Sequence, residues 1–262
     1  KNSFHGRTLA TLTATGQPKY QEGFAPLPPG FVYAEFNQLD TVEALLDDSI
    51  CAIMLEPIQG EGGIQPADLS FLRGLREICD QEGILLIFDE VQCGMGRSGK
   101  LLAYQAYGVQ PDIVTLAKGL GGGFPIGAML ASEKAAGGFA PGDHASTFGG
   151  NPLATALACK VVDTVASQEF LAQVEKIAEY LYEALLSISD PRITAVRGRG
   201  LMLGIEFNTE VRELVEICME KGLLLLGAGP KVLRFVPPLV VSEMEINQAM
   251  GILKGALMEW ST

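Results

Sequence analysis

The sequence predicts an α/β protein built on a mostly parallel sheet, and three observations support this prediction. Residues 49–56 and 83–90 are apolar at consecutive positions, and each run ends in an acidic residue. Strands that are apolar on both faces are typical of a parallel sheet covered on both sides. A segment with helical spacing separates the two runs, and a third apolar run covers residues 113–117. Such alternation of strands and helices is typical of a doubly wound sheet.

The helices of this first region are predicted from spacing and caps. The helix between the first two strands covers residues 68–81, with Asp68 as its N-cap and Gly83 as its stop. A second helix, over residues 101–107, precedes the third strand. The first helix carries apolar residues at helical spacing: Phe71, Leu72, Leu75, Ile78 and Cys79.

The pattern changes after Pro152, where a second region is predicted to begin. Residues 153–186 are mostly helical in pattern, and an α+β pattern follows. We therefore predict that residues 1–154 form part of a large domain and residues 155–262 form a linking helix and a smaller C-terminal α+β domain. The predicted elements of that smaller domain are strands over 200–207, 223–226 and 232–236 and a helix over 211–221 that ends at Gly222.

Composition excludes several classes of function. The 262 residues include 19 basic and 31 acidic side chains, and a net charge of −12 argues against nucleic acid and anionic membranes as partners. Neither an apolar run of membrane-spanning length nor a signal-peptide pattern is visible, so we expect a soluble protein. Five cysteines without a C-x-x-C pair are typical of reduced thiols in the cytoplasm, and two histidines argue against a histidine-rich metal site.

Asp89 and Lys118 are the first candidates for chemistry. Both follow predicted strands, 29 residues apart, and ligands of open parallel sheets bind at the carboxyl ends of strands. A buried salt bridge between the two side chains would explain this pattern without any function. Alternatively, the lysine forms a Schiff base with a carbonyl cofactor and the carboxylate holds a protonated ring nitrogen, as pyridoxal phosphate requires. We expect Lys118 to be desolvated, because burial lowers the pKa of a lysine amine and makes it nucleophilic.

Two glycine-rich stretches resemble phosphate-binding motifs but depart from them. GMGRSGK at 94–100 fits G-x-x-x-x-G-K, yet Leu101 stands where a P-loop has Ser or Thr for magnesium. GLGGG at 119–123 is followed by Phe124 and Pro125, where a dinucleotide fingerprint would start a helix. We expect these last glycines to let the backbone turn beside Lys118.

Longer motifs resemble one family over essentially the whole chain. Residues 89–130, DEVQCGMGRSGKLLAYQAYGVQPDIVTLAKGLGGGFPIGAML, are similar to the lysine region of class III (ornithine-type) pyridoxal-phosphate-dependent aminotransferases. The resemblance implies a fold type I large domain with a mostly parallel sheet and a smaller C-terminal domain. Further matching motifs, in the family's order, are FHGRT at 4–8, EPIQGEGG at 56–63, STFGGNPLA at 146–154 and LRFVPPL at 233–239.

Within the class, NSFHGRTL and GAGPKVLRFVPPL most resemble the acetylornithine aminotransferases. That subfamily moves the δ-amino group of N-acetylornithine to 2-oxoglutarate in arginine biosynthesis. Ornithine, succinylornithine and 4-aminobutyrate remain alternative amino donors.

The resemblance implies which residues bind pyridoxal 5'-phosphate. Lys118 would be the Schiff-base lysine, Asp89 the partner of the ring nitrogen and Gln92 a hydrogen-bond partner of the ring oxygen. Phe4 would stack on the ring, and Glu90 and Val91 would complete this group. Thr147 would reach the cofactor phosphate of a neighbouring subunit, which implies a homodimer with active sites at its interface.

The resemblance also implies substrate contacts. Arg7 would clamp a carboxylate with its guanidinium fork, and Ser146 would touch the substrate. Arg234 would bind the α-carboxylate of glutamate and be masked by Glu61 during the other half-reaction. A permanent Glu61–Arg234 salt bridge is the alternative to such a switch.

The first residues of the chain prompt a further expectation. The chain opens KNSFHGRTLA without a methionine, and the family's N-terminal portion, which carries a phosphate-binding loop, has no counterpart in this sequence. We favour a truncated or proteolysed form of a normal enzyme. A natural split or degenerate form that acts only in dimerisation or binding is the alternative.

Overall fold

Ten strands and nine helices organise residues 1–260, the part of the chain that the computed structural model describes. The strands are β1 (Ala52–Leu55), β2 (Ile58–Gln59), β3 (Gln65–Pro66), β4 (Leu85–Asp89), β5 (Ile113–Leu116), β6 (Ala128–Ala131), β7 (Ile193–Arg199), β8 (Met202–Phe207), β9 (Leu226–Gly227) and β10 (Val232–Phe235). The helices are α1 (Leu9–Ala14), α2 (Pro18–Gln21), α3 (Leu39–Glu43), α4 (Leu69–Glu82), α5 (Glu133–Ala136), α6 (Pro152–Val165), α7 (Gln168–Leu186), α8 (Arg212–Glu220) and α9 (Glu243–Glu259).

The first sheet has the strand order β1-β4-β5-β6. β1 pairs parallel with β4 and β4 parallel with β5, which confirms the predicted mostly parallel sheet. β6 pairs antiparallel with β5 and was not predicted, because its four residues are all exposed and carry no alternating pattern. Residues of β4 and β5 alternate between buried and half-buried, so the described residues cover one face of this sheet more fully than the other.

Helix α4 packs against this sheet and confirms the helix predicted over residues 68–81. Its residues Phe71, Leu72 and Leu75 are buried in one core with Leu86 and Phe88 of β4. Gly83 adopts the left-handed conformation at φ 71°, as a C-cap glycine should. The predicted cap at Asp68 has extended backbone, but its side chain makes no capping hydrogen bond.

The helix predicted over residues 101–107 is wrong in type. The structure has only a short 3₁₀ turn at Ala103–Ala106. The buried Glu90 carboxylate accepts hydrogen bonds from the backbone of Ala103 and, at 2.8 Å, of Tyr104. Because the Glu90 carboxylate accepts hydrogen bonds from these two backbone N–H groups, they need no partners within a longer helix.

The second sheet is antiparallel, in the order β7-β8-β10-β9, and helices α7, α8 and α9 contribute to its core. Strands β8 and β10 confirm the strands predicted over 200–207 and 232–236 within two residues. The strand predicted over 223–226 is reduced to β9, because Leu223 and Leu225 instead pack against the core. β7 and α9 were not predicted.

The helical stretch predicted over residues 153–186 is present as α6 and α7. Ser167 separates them: its hydroxyl accepts a hydrogen bond from Phe170 N at 3.2 Å and caps α7. Each sheet has its own large buried cluster, and the domain boundary near residue 154 stays a prediction. Across residues 1–260, the helices are all too short or too polar to cross a membrane.

Candidate active site

Three polar side chains meet at the carboxyl edge of the first sheet. Leu55 and Phe88 are paired in the parallel register of β1 and β4, so the next residues, Glu56 and Asp89, end adjacent strands. Lys118 follows the neighbouring strand β5. With His5, which contacts Asp89, they form what we call the strand-end cluster. This is the edge where open parallel sheets bind ligands.

The Asp89 carboxylate is buried and has three hydrogen-bond partners. His5 Nδ1 lies 2.8 Å from Oδ2, and both side chains are nearly inaccessible to solvent. The backbone N–H of Val91 donates to Oδ1 at 3.0 Å, and the Thr115 hydroxyl donates to the same oxygen at 3.1 Å. These contacts fix the carboxylate in position.

Glu56 is a second buried carboxylate beside Asp89. Its oxygens accept hydrogen bonds from Phe4 N at 2.8 Å and Gly60 N at 3.1 Å. Burial raises the pKa of Glu56 to about 7, and the charge of His5 opposes that rise. Glu56 therefore changes its charge close to neutral pH.

Lys118 is held in a strained backbone conformation at φ 45° and starts a 3₁₀ turn at Lys118–Gly121. Gly122 and Gly123 follow at φ 56° and 106°, so the glycine run turns the chain beside the lysine as predicted. The residue is exposed, which corrects the expectation of a buried lysine: its strand ends at an open edge. Desolvation nevertheless lowers the pKa of the Lys118 amine, against the opposing effect of Glu56 and Asp89.

The Asp89–Lys118 salt bridge is absent from the described part of the chain. Ion pairs within residues 1–260 include His5–Asp89 and Glu61–Arg234, but none to Lys118. The interpretation of this pair as a purely structural bridge is therefore not supported, and the amine is left without a fixed partner.

Arg234 connects the second sheet to this edge. It is a residue of β10, and its Nη1 donates to Glu61 Oε1 at 2.7 Å and to Gln92 Oε1 at 3.3 Å. Its Nε is buried without a hydrogen-bond partner in the described structure. Gly60 makes the packing possible, because a Cβ there would lie 2.4 Å from Gln92 Oε1. The Glu61–Arg234 contact fits both the masked arginine and the permanent salt bridge.

Arg7 and Phe4 lie together on an aromatic surface. The Phe4 ring meets the Tyr20 ring edge-to-face at 5.3 Å. The Arg7 guanidinium lies 4.7 Å from the Tyr20 ring centre and 5.6 Å from that of Phe4. Cation–π contacts hold this exposed arginine in place while its fork of N–H donors stays available for a carboxylate.

The remaining predicted site residues are placed differently. The Glu90 carboxylate is engaged with the Ala103–Ala106 turn, and its burial raises the pKa of Glu90 to about 7. Ser146 and Thr147 lie in residues 136–150, where every residue is exposed; we call this the exposed segment. Ser146 Oγ accepts only a local hydrogen bond, from Gly149 N at 3.1 Å. The structure brings neither residue to the strand-end cluster of its own chain.

The P-loop-like stretch does not form a phosphate site. Residues 94–100 form turns rather than a helix start, and Lys100 Nζ pairs with Glu175 Oε1 of α7 at 2.7 Å. The Arg97 side chain donates to Leu201 O at 3.1 Å, which ties the loop to the second sheet.

Three residues at this edge were missed from the sequence: His5 and Glu56 of the strand-end cluster, and Thr115, which donates to Asp89. The available signals were a histidine inside FHGRT and two acidic strand ends in succession. Only pairing of β1, β4 and β5 shows that these residues meet, because they are far apart along the chain.

The cluster fits the ring and aldehyde ends of pyridoxal phosphate. That group needs an amine able to lose its proton, supplied by Lys118, and a fixed carboxylate for its ring nitrogen, supplied by Asp89. The lowered pKa of Lys118 and the three hydrogen bonds on Asp89 meet these needs.

Comparison with known proteins agrees with this chemistry. The family model "Aminotransferase class-III" matches residues 1–257. The acetylornithine aminotransferase of Caldanaerobacter subterraneus subsp. tengcongensis is 52% identical over 99% of this chain and 66% of its own length. The chain thus spans about two-thirds of the length of the curated relatives it matches.

Solved structures give the same result. The N-acetylornithine aminotransferase from Stenotrophomonas maltophilia superposes with a TM-score of 0.79 at 43% identity, covering 87% of this chain and 62% of that one. An ornithine aminotransferase from Toxoplasma gondii, whose active site holds PLP at partial occupancy, superposes with a TM-score of 0.91 at 32% identity, covering 99% and 63%. These similarities confirm the expected fold class.

Proposed function

This chain belongs to the class III aminotransferase family, and we propose that it carries out pyridoxal-phosphate-dependent transamination in arginine biosynthesis. The δ-amino group of N-acetylornithine would pass to 2-oxoglutarate, giving N-acetylglutamate semialdehyde and glutamate. The observation that supports this most directly is an unpaired Lys118 amine beside a fixed Asp89 carboxylate at the sheet edge. Identity of about half to curated acetylornithine aminotransferases supports the choice of donor.

The cofactor would be held by residues of two kinds. When bound, pyridoxal phosphate supplies an electron sink for the substrate carbon from which a proton is removed. Lys118 would hold its aldehyde end, Asp89 its ring nitrogen and Gln92 its ring oxygen, with Phe4 and Val91 at the ring. Thr147 of a second copy would contact the phosphate. Glu90 would act indirectly, because its carboxylate fixes the Ala103–Ala106 turn.

Lys118 is also the proposed proton carrier. A lysine whose pKa is lowered by desolvation is neutral more often near pH 7, so its Nζ can accept a proton from substrate and return it. His5 is not the proposed proton carrier, because its Nδ1 contacts Asp89.

Arg7 and Arg234 are the proposed carboxylate receptors. Arg7, held over Tyr20, would clamp the far carboxylate of either substrate. Glu61 would cover Arg234 while acetylornithine reacts, since that donor presents one carboxylate, and would release it for glutamate, which presents two. Ser146 would touch the substrate.

Ornithine is the second candidate donor, and the similarity to the Toxoplasma gondii ornithine aminotransferase favours it. Succinylornithine and 4-aminobutyrate differ from these donors mainly at the end remote from the reacting amine. A panel of the four donors, each assayed with 2-oxoglutarate, discriminates them by kcat/KM.

We further propose a cytoplasmic homodimer with shared active sites. Ser146 and Thr147 lie in the exposed segment, away from their own strand-end cluster, which supports a contribution to a neighbouring copy. Apolar side chains are exposed nearby, with Phe148 82% accessible. All five cysteines are free thiols, which persist in a reducing compartment.

The deciding experiment is an absorbance spectrum of the chain with pyridoxal phosphate, followed by borohydride reduction and peptide mapping. We expect a pyridoxyl group on Lys118 and a spectrum that changes with acetylornithine or glutamate. A colourless protein that still assembles would support a binding module instead and overturn the proposed activity. Magnesium-dependent nucleotide hydrolysis that requires Lys100 would favour the P-loop alternative.

A further inference from the structure

The loop between β2 and β3, residues 60–64, carries Glu61 and is called the Glu61 loop below. The Glu61 carboxylate contacts Arg234 of the second sheet at 2.7 Å. One side of the loop borders a cavity of about 390 Å³, which Glu61, Gly62 and Gly63 help to line. Contacts on the other side must therefore hold the Glu61 carboxylate in place.

Arg197 of β7 binds the backbone of this loop from the second sheet. Its Nε donates to the carbonyl oxygens of Gly63 and Ile64, each at 3.1 Å, and its Nη2 donates to Gly63 O at 2.9 Å. Its Nη1 pairs with Glu206 of β8. Within residues 1–260, Arg197 is the one residue whose side chain hydrogen-bonds to the backbone of residues 61–64. The guanidinium group thus joins the loop to the second sheet.

The strand register places Arg197 and Arg234 on either side of Gly204. Arg197 of β7 and Arg234 of β10 are each paired with Gly204 of β8. Residues paired across a sheet share a face, so both arginines lie on the face that the loop covers. Ile64 packs over the glycine between them, since a Cβ at Gly204 would lie 3.1 Å from Ile64 Cβ. One row of the sheet therefore binds the loop twice, at its backbone and at its Glu61 side chain.

We propose that Arg197 is a positioning residue: it holds the loop backbone so that the Glu61 carboxylate stays in contact with Arg234. The inference rests on the proposed function, in which Glu61 covers Arg234 while acetylornithine reacts. A loosened loop would weaken the Glu61–Arg234 contact and leave Arg234 more available to the α-carboxylate of glutamate. Loss of the Arg197 contacts should thus act in the same direction as loss of the Glu61 charge.

Arg197→Lys and Glu206→Gln form a matched pair of variants. Lysine keeps a positive charge beside Glu206, but one ammonium group cannot reproduce the planar fork that binds two carbonyl oxygens. Glu206→Gln removes the ion pair and leaves the contacts from Arg197 to the loop carbonyls in place. A difference between the two variants therefore reports on the contacts with the loop.

Hydrogen exchange of the cofactor-free chain, followed by mass spectrometry, measures the loop directly. We expect the amides of residues 60–65 to exchange at least about fivefold faster in Arg197→Lys, the factor for loss of one hydrogen bond, while the amides of α4 keep their rates. In Glu206→Gln, exchange of the loop should stay within about twofold of wild type. Unchanged loop exchange in Arg197→Lys would overturn the proposal. Because this measurement needs no cofactor, it gives an answer even when the chain fails to transaminate and the proposed function falls.

Single-turnover kinetics of the two half-reactions in the holoenzyme test the link to Glu61. Arg197→Lys should shift the ratio of their rates toward the glutamate half-reaction by about threefold, because the carboxylate is loosened rather than removed. In a Glu61→Gln background the same change should shift the ratio by less than about 1.5-fold, since Arg197 acts through that carboxylate. Equal shifts in both backgrounds, or none in either, would overturn the positioning role, because an arginine that only stabilises the fold slows both half-reactions together.

Discussion

The strand-end cluster and the exposed segment carry residues proposed for the same site, yet the chain holds them in opposite ways. Asp89 and Glu56 are buried, and each accepts hydrogen bonds from residues distant in sequence. Residues 136–150 are exposed throughout, and their hydrogen bonds are local, such as Ala140 N to Asp143 Oδ2 at 2.7 Å.

This difference separates the part of the site that one chain forms by itself from the part that needs contact with a second chain. The cluster is fixed by strand pairing and by buried donors, so its geometry exists before any ligand binds. The exposed segment lacks such contacts, so its proposed function depends on assembly. Substitutions of the buried cluster residues should therefore change stability, and substitution of the exposed Lys118 should change catalysis alone. Substitutions in the exposed segment should change the function that depends on assembly.

The largest effect is expected for Lys118→Ala. Loss of both the aldehyde-holding amine and the proton carrier should lower kcat by at least about 10³-fold, within the range for general acid–base groups. Borohydride trapping followed by mapping should find no pyridoxyl group at position 118. Because the residue is exposed, the free energy of unfolding should stay within about 0.5 kcal/mol.

Lys100→Ala is the matched control for that variant. Lys100 ends the P-loop-like stretch, and its amine pairs with Glu175 of α7 rather than with a residue of the strand-end cluster. Trapping on Lys118 and transamination should persist in Lys100→Ala. Loss of both activities in this control would contradict the assignment of the lysine.

The next largest effect concerns pH and stability. Burial raises the pKa of Glu56 and of Glu90 from 4.5 to about 7 in the folded chain. The folded state then binds more protons than the unfolded state between these values, so the free energy of unfolding falls as pH rises from about 4.5 to 7. Each group contributes on the order of 3 kcal/mol to this fall.

Chemical denaturation at several pH values measures this effect. Glu56→Gln and Glu90→Gln should each flatten the pH dependence, since an amide does not titrate. Asp112 and Asp190, whose pKa is lowered by hydrogen bonds and arginine partners, act only below about pH 4 and do not mask it. Parallel curves for wild type and both variants would refute the raised pKa.

The same contrast explains how far the sequence could predict the molecule. Strands β1, β4 and β5 and helix α4 were predictable because their apolar spacing matches strand and helix periods. β6 was not, since its residues are exposed and its strand character comes from pairing with β5. The 3₁₀ turn at Ala103–Ala106 depends on the Glu90 carboxylate, a contact that spacing alone does not encode.

For the site, the sequence shows which charged residues follow the predicted strands, but it does not show which side chains contact them. Asp89 and Lys118 could be predicted from position, and family resemblance supplied Arg7, Glu61 and Arg234. His5 reaches Asp89 across 84 residues, so only the folded chain reveals the contact. The exposure of Lys118 was missed for the same reason: the openness of a sheet edge depends on what packs over it.

A moderate effect is expected for Glu61→Gln, which tests the link between the two sheets. Removing the carboxylate charge that faces Arg234 should favour the glutamate half-reaction over the acetylornithine half-reaction by about tenfold, or about 1.4 kcal/mol. Single-turnover kinetics of each half-reaction in the complete enzyme give the ratio. An unchanged ratio would indicate a permanent salt bridge.

The smallest effect on stability is expected in the exposed segment. Thr147→Asp should change the free energy of unfolding by no more than about 0.5 kcal/mol, because Thr147 is exposed and no described tertiary contact depends on it. The same change should abolish activity if Thr147 contacts a phosphate, since a carboxylate repels that group.

Mixing this variant with Lys118→Ala shows which copy Thr147 serves. If Thr147 acts on the site of a second copy, a mixed dimer contains one site with an intact Lys118 and an intact Thr147, so activity returns that neither variant has alone. If it acts within its own chain, every site in the mixture lacks one of the two residues and activity stays absent. Recovery would therefore show that the strand-end cluster of one chain needs the exposed segment of a second chain to form a working site.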